Sequence, residues 1–433
     1  MLRLSPLTKI FAKSATFVAM AVIAGLAMPS LTTAQTQNSE ETYRQLSLFG
    51  DVFQRVRSDY VEEIEDKELI EAAINGMLTS LDPHSSFLPD DSFKKMQVQT
   101  TGRFGGLGIE VTMDSGFVKV VSPIDDTPAA QAGLQPEDYI IAVNGETVLG
   151  LSLNEAVEQL RGPIGSEVTI TVQRGQDEPF DVDIIRDEIK IRSVRSTLFE
   201  DVGYIRITTF SEQTTPGLLD AVDELRSQAD EDGLAGLVLD LRNNPGGLLA
   251  EAIKVSDAFL EEGEIVSTRG RSGEDISHAY ARPGDIAAGL PVVVLINSGS
   301  ASASEIVAGA LKDHKRAILM GNRSFGKGSV QSVIPMPGFG AMRLTTARYY
   351  TPSGVSIQAK GITPDIEVEL ARIETVDTGI GREEDLRGAL DSSDNSSDED
   401  NAEAFDQSKV DYQLARAIDL LRGMRVFGQM AQN

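Results

Sequence analysis

Cysteine is absent from the 433 residues, which excludes disulfides, thiolate metal sites, a catalytic thiol and a lipid-modified N-terminal cysteine. Histidine is nearly absent. His84, His278 and His314 stand far apart and none belongs to a spaced pair such as H-E-x-x-H, so no metal site is read and each is taken as a surface or capping side chain. Positive charge is also short: 39 Lys and Arg face 66 Asp and Glu, and the net charge of -27 repels phosphate backbones, which argues against a nucleic-acid partner. Long apolar runs are scarce. The one near the N-terminus, about residues 17–28, follows Arg3, Lys9 and Lys13 and leads to Pro29, Ser30 and small residues through Ala34. That is the tripartite layout of a secretory signal, and at about 1.5 Å per residue the run is too short for a hydrocarbon core of roughly 30 Å. Residues 1–34 are therefore expected to be a cleaved signal that delivers the protein to the periplasm; the alternative is an uncleaved anchor in the inner membrane, facing the periplasm.

What is present suits a soluble protein of two or three domains, with 41% apolar and 24% charged residues. Residues 40–101 read as a helical region. Leu46, Phe49, Phe53, Val56 and Tyr60 recur at spacings of three and four, lining one helix face that either packs within its own domain or forms a dimer seam. A second helix over 67–81 should stop at Asp82-Pro83.

From Gly102 the texture changes to short strands and tight turns. Gly105-Gly106-Leu107-Gly108-Ile109 is followed by alternating apolar residues, by Pro128-Ala129-Ala130, and by an Asn144-Gly145 turn. Ser152 and Glu155 have the spacing of a helix capping box, and a strand over 167–174 closes the unit. In this order the segments of residues 102–174 resemble a PDZ domain of the bacterial protease-associated type. The resemblance implies that Gly106, Leu107, Gly108 and Ile109 present backbone N–H groups to the terminal carboxylate of a peptide that adds as a strand to the sheet edge.

Between 188 and 370 strands and helices alternate, which argues a layered α/β domain. Strands are expected over 189–199, 203–210, 236–241, 292–297, 317–320, 329–335 and 342–350. Helices are expected over 216–228 with Thr215 as cap, over 248–260, and over 302–314. Residues 373–408 hold twelve acidic residues against two arginines, a net -10, and few large apolar side chains, so a disordered linker is expected there. In the final segment, 409–433, Leu414, Ala417, Ile418 and Leu421 give one short amphipathic helix that should dock on the body or on another subunit.

Gly321 through Gly328 imitates a P-loop, but Gly328 stands where a Mg²⁺-binding hydroxyl is needed and a strand follows where a helix is needed. No G-x-S-x-G elbow surrounds any serine. The run Asn297-Ser298-Gly299-Ser300-Ala301-Ser302-Ala303-Ser304-Glu305 follows an apolar strand and opens a helix, where free backbone N–H groups can hold an oxyanion; an ordinary N-cap serine would look the same. Phe325-Gly326-Lys327-Gly328-Ser329-Val330-Gln331 adds a lone lysine framed by glycines between strands. A serine with a lysine can do nucleophilic chemistry without histidine, provided the amine is neutral.

These two runs, with Leu344-Thr345-Thr346-Ala347-Arg348-Tyr349-Tyr350-Thr351-Pro352-Ser353-Gly354, resemble the C-terminal processing peptidases, also called tail-specific proteases. The similarity spans about residues 42–365. It implies an α/β protease core of the ClpP/crotonase type carrying an inserted PDZ domain and an N-terminal helical region. It also implies serine endopeptidase activity near substrate C-termini, with Ser302 as nucleophile, Lys327 as base, and Gln331 orienting the lysine. The oxyanion donors would be the backbone at Ala303 and at Gly246 or Gly247 of the Asn244-Pro245-Gly246-Gly247 turn. No cofactor is required. Protein or peptide substrates engaged by their C-termini are the implied partners, an adaptor protein and a homo-oligomer are compatible, and the alternative from another class is a silent peptide-binding scaffold.

Overall fold

A computed structural model describes residues 31–272, 275–371 and 411–432. Most of the expected signal and the whole acidic stretch 373–408 lie outside the described residues. The chain divides into two compact units, Met1–Leu81 and Asp82–Asn433.

In the first unit, helices Leu31–Asp59 and Asp66–Thr79 carry the N-terminal helical pattern. The apolar row of the first helix is not covered within its own unit: Leu46, Phe49, Val56 and Tyr60 are exposed and Phe53 is half-buried. No described helix is long and apolar enough to cross a membrane.

In the second unit, a five-strand antiparallel path runs Ile109–Asp114, Phe117–Pro123, Tyr139–Val143, Glu167–Gln173 and Phe180–Ile185. Helix Leu153–Leu160 closes its core, where Val118, Ile140, Ala156, Val168 and Ile170 are buried. The expected capping box forms: Glu155 Oε2 accepts the Ser152 N–H at 2.7 Å. Asn144 and Gly145 both have positive φ, as a tight hairpin turn requires. The strand at 167–173 does not close the unit, because Phe180–Ile185 pairs beside it. Residues 187–190 pair with Arg103–Gly106, so the stretch 189–199, expected to be one strand, is split between two sheets.

The α/β core is built on a sheet ordered Val194–Phe199, Val202–Ile207, Gly236–Asp240, Val292–Ile296, Ile318–Gly321, Ile366–Glu367, parallel after the first antiparallel pair. Its central strands are buried throughout, because both faces are covered. Leu237, Leu239, Val292, Val294 and Ile296 face helices Thr214–Gln228, Leu249–Asp257 and Ala303–Asp313. Val238, Val293 and Leu295 face the C-terminal helix Tyr412–Gln432. That helix is longer than expected, and it docks on the body through the expected residues: Leu414, Ala417, Ile418 and Leu421 are buried. Each fully buried Leu or Ile contributes roughly 1.5–3 kcal/mol, so this stripe holds the helix and its exposed-end ion pairs only orient it.

Thr215 is not the cap of its helix. The helix starts at Thr214, and the Thr215 hydroxyl donates instead to Glu251 at 2.6 Å. Strands Glu264–Arg269 and Ile276–Tyr280 went unexpected, as did the short Ser86–Leu88 and Ile366–Glu367; the first three join Gly340–Tyr350 and Ser329–Met336 in a second sheet.

Candidate active site

Strand Val292–Ile296 delivers the chain to a loop of small residues, and helix Ala303–Asp313 begins immediately after Ser302. Ser302 has φ 56° and ψ −111°, a conformation costing an L-residue about 1–3 kcal/mol, so the surrounding contacts must hold it there. Three of the run's four serines, Ser300, Ser302 and Ser304, differ in what their hydroxyls do. Ser300 Oγ donates to the Leu241 carbonyl at 2.8 Å, and Ser304 Oγ donates to the Asn244 carbonyl at 2.9 Å, both fully buried. The Ser302 side chain instead faces the hydroxyl of Tyr349, whose pKa burial pushes up to about 12. The flanking serines thus pin the loop to the Asn244 turn, while the middle one, also buried, is turned to the Tyr349 side chain and not to a backbone carbonyl.

Glu305, with no exposed surface, joins this loop to the glycine-framed lysine. Its Oε2 accepts the backbone N–H of Ser302 and of Lys327, each at 2.8 Å, so those two nitrogens lie no farther apart than twice that distance. Its Oε1 accepts from Ser324 Oγ and from the Gly326 N–H, each at 2.6 Å. Burial pushes the Glu305 carboxyl above its ordinary range, and the four donors oppose that push. The glycines beside Lys327 are required by close approach. A Cβ on Gly328 would lie 2.2 Å from the Gln358 nitrogen, and Gly326 has φ +93°.

Burial is the first cause that lowers the Lys327 pKa, and the Arg343 guanidinium is the second. His84 is held below its ordinary value by burial and then by Lys327. Arg343 is fixed by donating from Nε to the His84 carbonyl at 3.1 Å and from Nη2 to Ser86 Oγ at 3.0 Å. Asp82 ties the same turn together, accepting from the His84 and Ser85 N–H groups and from Thr345 Oγ1. The Gln331 amide nitrogen donates to Ser329 Oγ at 2.9 Å and to the Ser329 carbonyl at 3.1 Å.

The Asn244 turn lies against the serine loop. A Cβ on Gly246 would come within 2.9 Å of Ser302 Cβ and 3.0 Å of the Ala303 nitrogen. The Gly246 N–H is engaged by Asn244 Oδ1 at 2.9 Å, whereas the N–H groups of Gly247 and Ala303 are not donated to any described residue. Gly247 has φ +145°, and a Cβ there would meet the Phe210 carbonyl at 2.1 Å.

In the PDZ-like unit, Gly106, Leu107, Gly108 and Ile109 line a groove together with Val157, Leu160 and Arg161. Strand Ile109–Asp114 is the edge of its sheet, and the Leu107 and Gly108 N–H groups are not donated to any described residue. Gly108 has φ +77°, and a Cβ there would press on Thr127 at 2.3 Å. Arg161 escaped the sequence reading. Its guanidinium carbon lies 4.3 Å from the Phe104 ring centroid, and its Nε is buried without a hydrogen-bond partner. Tyr349, His84 and Arg343 escaped it too, since nothing local marks them as neighbours of Ser302 or Lys327.

Comparison with known proteins converges on these same segments. Residues 201–368 match the model of peptidase family S41, residues 119–174 that of a PDZ domain, and residues 10–92 that of the activating protease CtpB N-terminal domain. The carboxy-terminal-processing protease of Bartonella bacilliformis is 52% identical over 394 residues, covering 90% of this chain and 91% of the relative. A probable CtpA-like serine protease of Staphylococcus aureus is 38% identical over 335 residues, covering 76% of this chain and 66% of that one. Among solved structures, the photosystem II D1 C-terminal processing protease is 31% identical with a TM-score of 0.43, covering 74% of this chain and 92% of that one. With a PDZ domain for peptide binding and an S41 peptidase core, the chain belongs to peptidase family S41, among the carboxy-terminal-processing serine proteases.

Proposed function

We propose that this protease cuts proteins near their C-termini with a Ser302–Lys327 dyad. The observation that carries the reading is the division of labour among the serines: Ser300 and Ser304 spend their hydroxyls on backbone carbonyls, while Ser302 is held in a strained conformation and shares its backbone acceptor with Lys327. Neutral Lys327 takes the proton as Ser302 Oγ attacks the scissile carbonyl. The N–H groups of Ala303 and Gly247 hold the oxyanion, since that of Gly246 is already engaged. Lys327 then gives its proton to the leaving amine as the C–N bond breaks. It next accepts a proton from the water that attacks the acyl-enzyme, and Ser302 recovers its own as the acid departs. The groove at Gly106–Ile109 and Arg161 takes the free C-terminus of the substrate. Residues 1–34 direct the enzyme to the periplasm, and Gln331 supports the lysine strand through Ser329.

The test is cleavage of a tail-labelled protein by single variants. Ser302→Ala and Lys327→Arg are both expected to lose turnover, the second because guanidinium stays protonated at any working pH. Ser300→Ala and Ser304→Ala should keep the chemistry and lower the melting temperature. Substantial proteolysis by purified Lys327→Arg would end the dyad assignment.

A further inference from the structure

The most heavily bonded buried charges of the described residues lie next to the oxyanion turn and are not used by the mechanism above. Asp240, at the end of strand Gly236–Asp240, is fully buried and accepts from Tyr204 Oη at 2.8 Å and Arg206 Nη1 at 3.2 Å. Arg242 follows two residues on, 5% exposed, with Nε and Nη2 donating to Asp240 at 3.0 and 2.7 Å. The other side of its guanidinium is taken by the C-terminal segment. Nη1 and Nη2 donate to Asp411 at 2.9 and 2.7 Å, and Nη1 also donates to Gln413 at 3.0 Å. Asn243, with φ 56°, comes next, and then the Asn244-Pro245-Gly246-Gly247 turn against Ser302.

We propose that Asp411 is a positioning residue for the reaction: by clamping Arg242 it fixes the turn that carries the oxyanion donor, and the helix Tyr412–Gln432 works as a built-in activator. The geometry supplies the reason. A guanidinium held bidentately from both sides cannot swivel, and the Arg242 N–H donates to Asp240 Oδ1 at 2.9 Å, so side chain and backbone of the residue leading to the turn are both tied. Covering the sheet face would need only the apolar stripe of Leu414, Ile418 and Leu421; a carboxylate at the head of the helix, bonded to Arg242 two residues before the turn, adds nothing to that cover. Arg422 offers the contrast. It anchors the same helix farther along, donating to Asp201 at 3.0 Å, remote from the turn in sequence and in contacts.

This inference rests on the serine-lysine reading, and the experiment separates the two. Asp411→Asn, Asp411→Glu and Arg422→Gln are compared with wild type in the full chain, measuring kcat, KM and melting temperature, with assays well below each melting point. Asp411→Asn is expected to lose kcat by at least about tenfold with KM little changed, the pattern of a contact felt in the transition state. Asp411→Glu, which keeps the charge, should fall between, and Arg422→Gln should lower the melting temperature and leave kcat alone. Should Asp411→Asn fail to fold, the comparison of Asp411→Glu with Arg422→Gln decides in the same way. Unchanged kcat in the foldable Asp411 variants, or an equal kcat loss in Arg422→Gln, overturns the clamp. Proteolysis that survives Ser302→Ala overturns the dyad instead.

Discussion

Ser302 and Lys327 hang from a single oxygen, Oε2 of Glu305, which accepts the backbone N–H of each at 2.8 Å. The relative placement of the proposed nucleophile and base is therefore set through main-chain groups, and neither side chain has to hold the other in position.

Glu305→Gln and Glu305→Ala should consequently differ. In the glutamine variant the amide nitrogen can take the Oε1 side, donating to Ser324 Oγ and leaving the Gly326 N–H without an acceptor, while the remaining oxygen keeps Ser302 and Lys327 together. One orphaned N–H costs about 1–3 kcal/mol. Alanine releases both backbone segments. The expected outcome is a lower melting temperature in both, with measurable kcat only in Glu305→Gln. Equal kcat in the two variants would show that the shared acceptor does not position the pair.

Much of this site was legible in sequence because its residues are framed locally. Ser302 falls at an apolar-strand-to-helix junction, and Lys327 lies between glycines that the Gln358 and Gly361 backbones crowd. The central strand Val292–Ile296 reads easily because burial on both faces makes it continuously apolar. What escaped depends on partners far along the chain. The 189–199 stretch looks like one strand, yet Asp187–Lys190 answers to Arg103–Gly106 and Val194–Phe199 to Val202–Ile207. Ile276–Tyr280 is largely exposed and carries no alternating pattern, so periodicity cannot find it. Thr215 has a capping side chain, but the competing acceptor, Glu251, is unknowable from its neighbours. The length of the last helix was hidden as well, because its apolar stripe ends near Leu421 while Met424, Val426, Phe427 and Met430 are exposed.

The pH dependence follows from Lys327 and Arg343. Burial first, and then the Arg343 cation, hold the lysine below its ordinary value of 10.5, so the neutral fraction and with it kcat/KM should rise through the lowered value. Arg343→Met removes the neighbouring cation and lets the lysine pKa move back up. Its alkaline limb is expected at higher pH than that of wild type, with activity reduced near neutrality and recovering in base. A profile lowered uniformly, without displacement, would show that Arg343 acts only through its bonds to His84 and Ser86. Stability carries the same sign. Between the lowered folded value and 10.5 the unfolded chain binds the extra proton, so the lysine destabilises the fold below that window and ceases to do so above it. Lys327→Met, inactive, should therefore melt higher than wild type at neutral pH, by a margin that shrinks as pH approaches 10.5.

Recognition of the substrate tail is best probed at Arg161 and not at Gly108. Any side chain at Gly108 must adopt φ +77° and displace Thr127, so loss of function there would report a damaged loop as readily as lost carboxylate binding. Arg161→Met keeps an aliphatic stem against Phe104 and removes only the cation and its unpartnered Nε donor. A hydrogen bond to a charged group is worth about 1.5–3 kcal/mol, roughly ten- to hundredfold in affinity. Wild type should therefore show a KM for a free-tail substrate lower by about that factor than for the same peptide amidated. In Arg161→Met the free-tail KM should rise toward the amide value, while the amidated substrate is cut as before. If the variant raises both KM values equally, Arg161 shapes the groove and the carboxylate is held by the backbone of Leu107 and Gly108 alone.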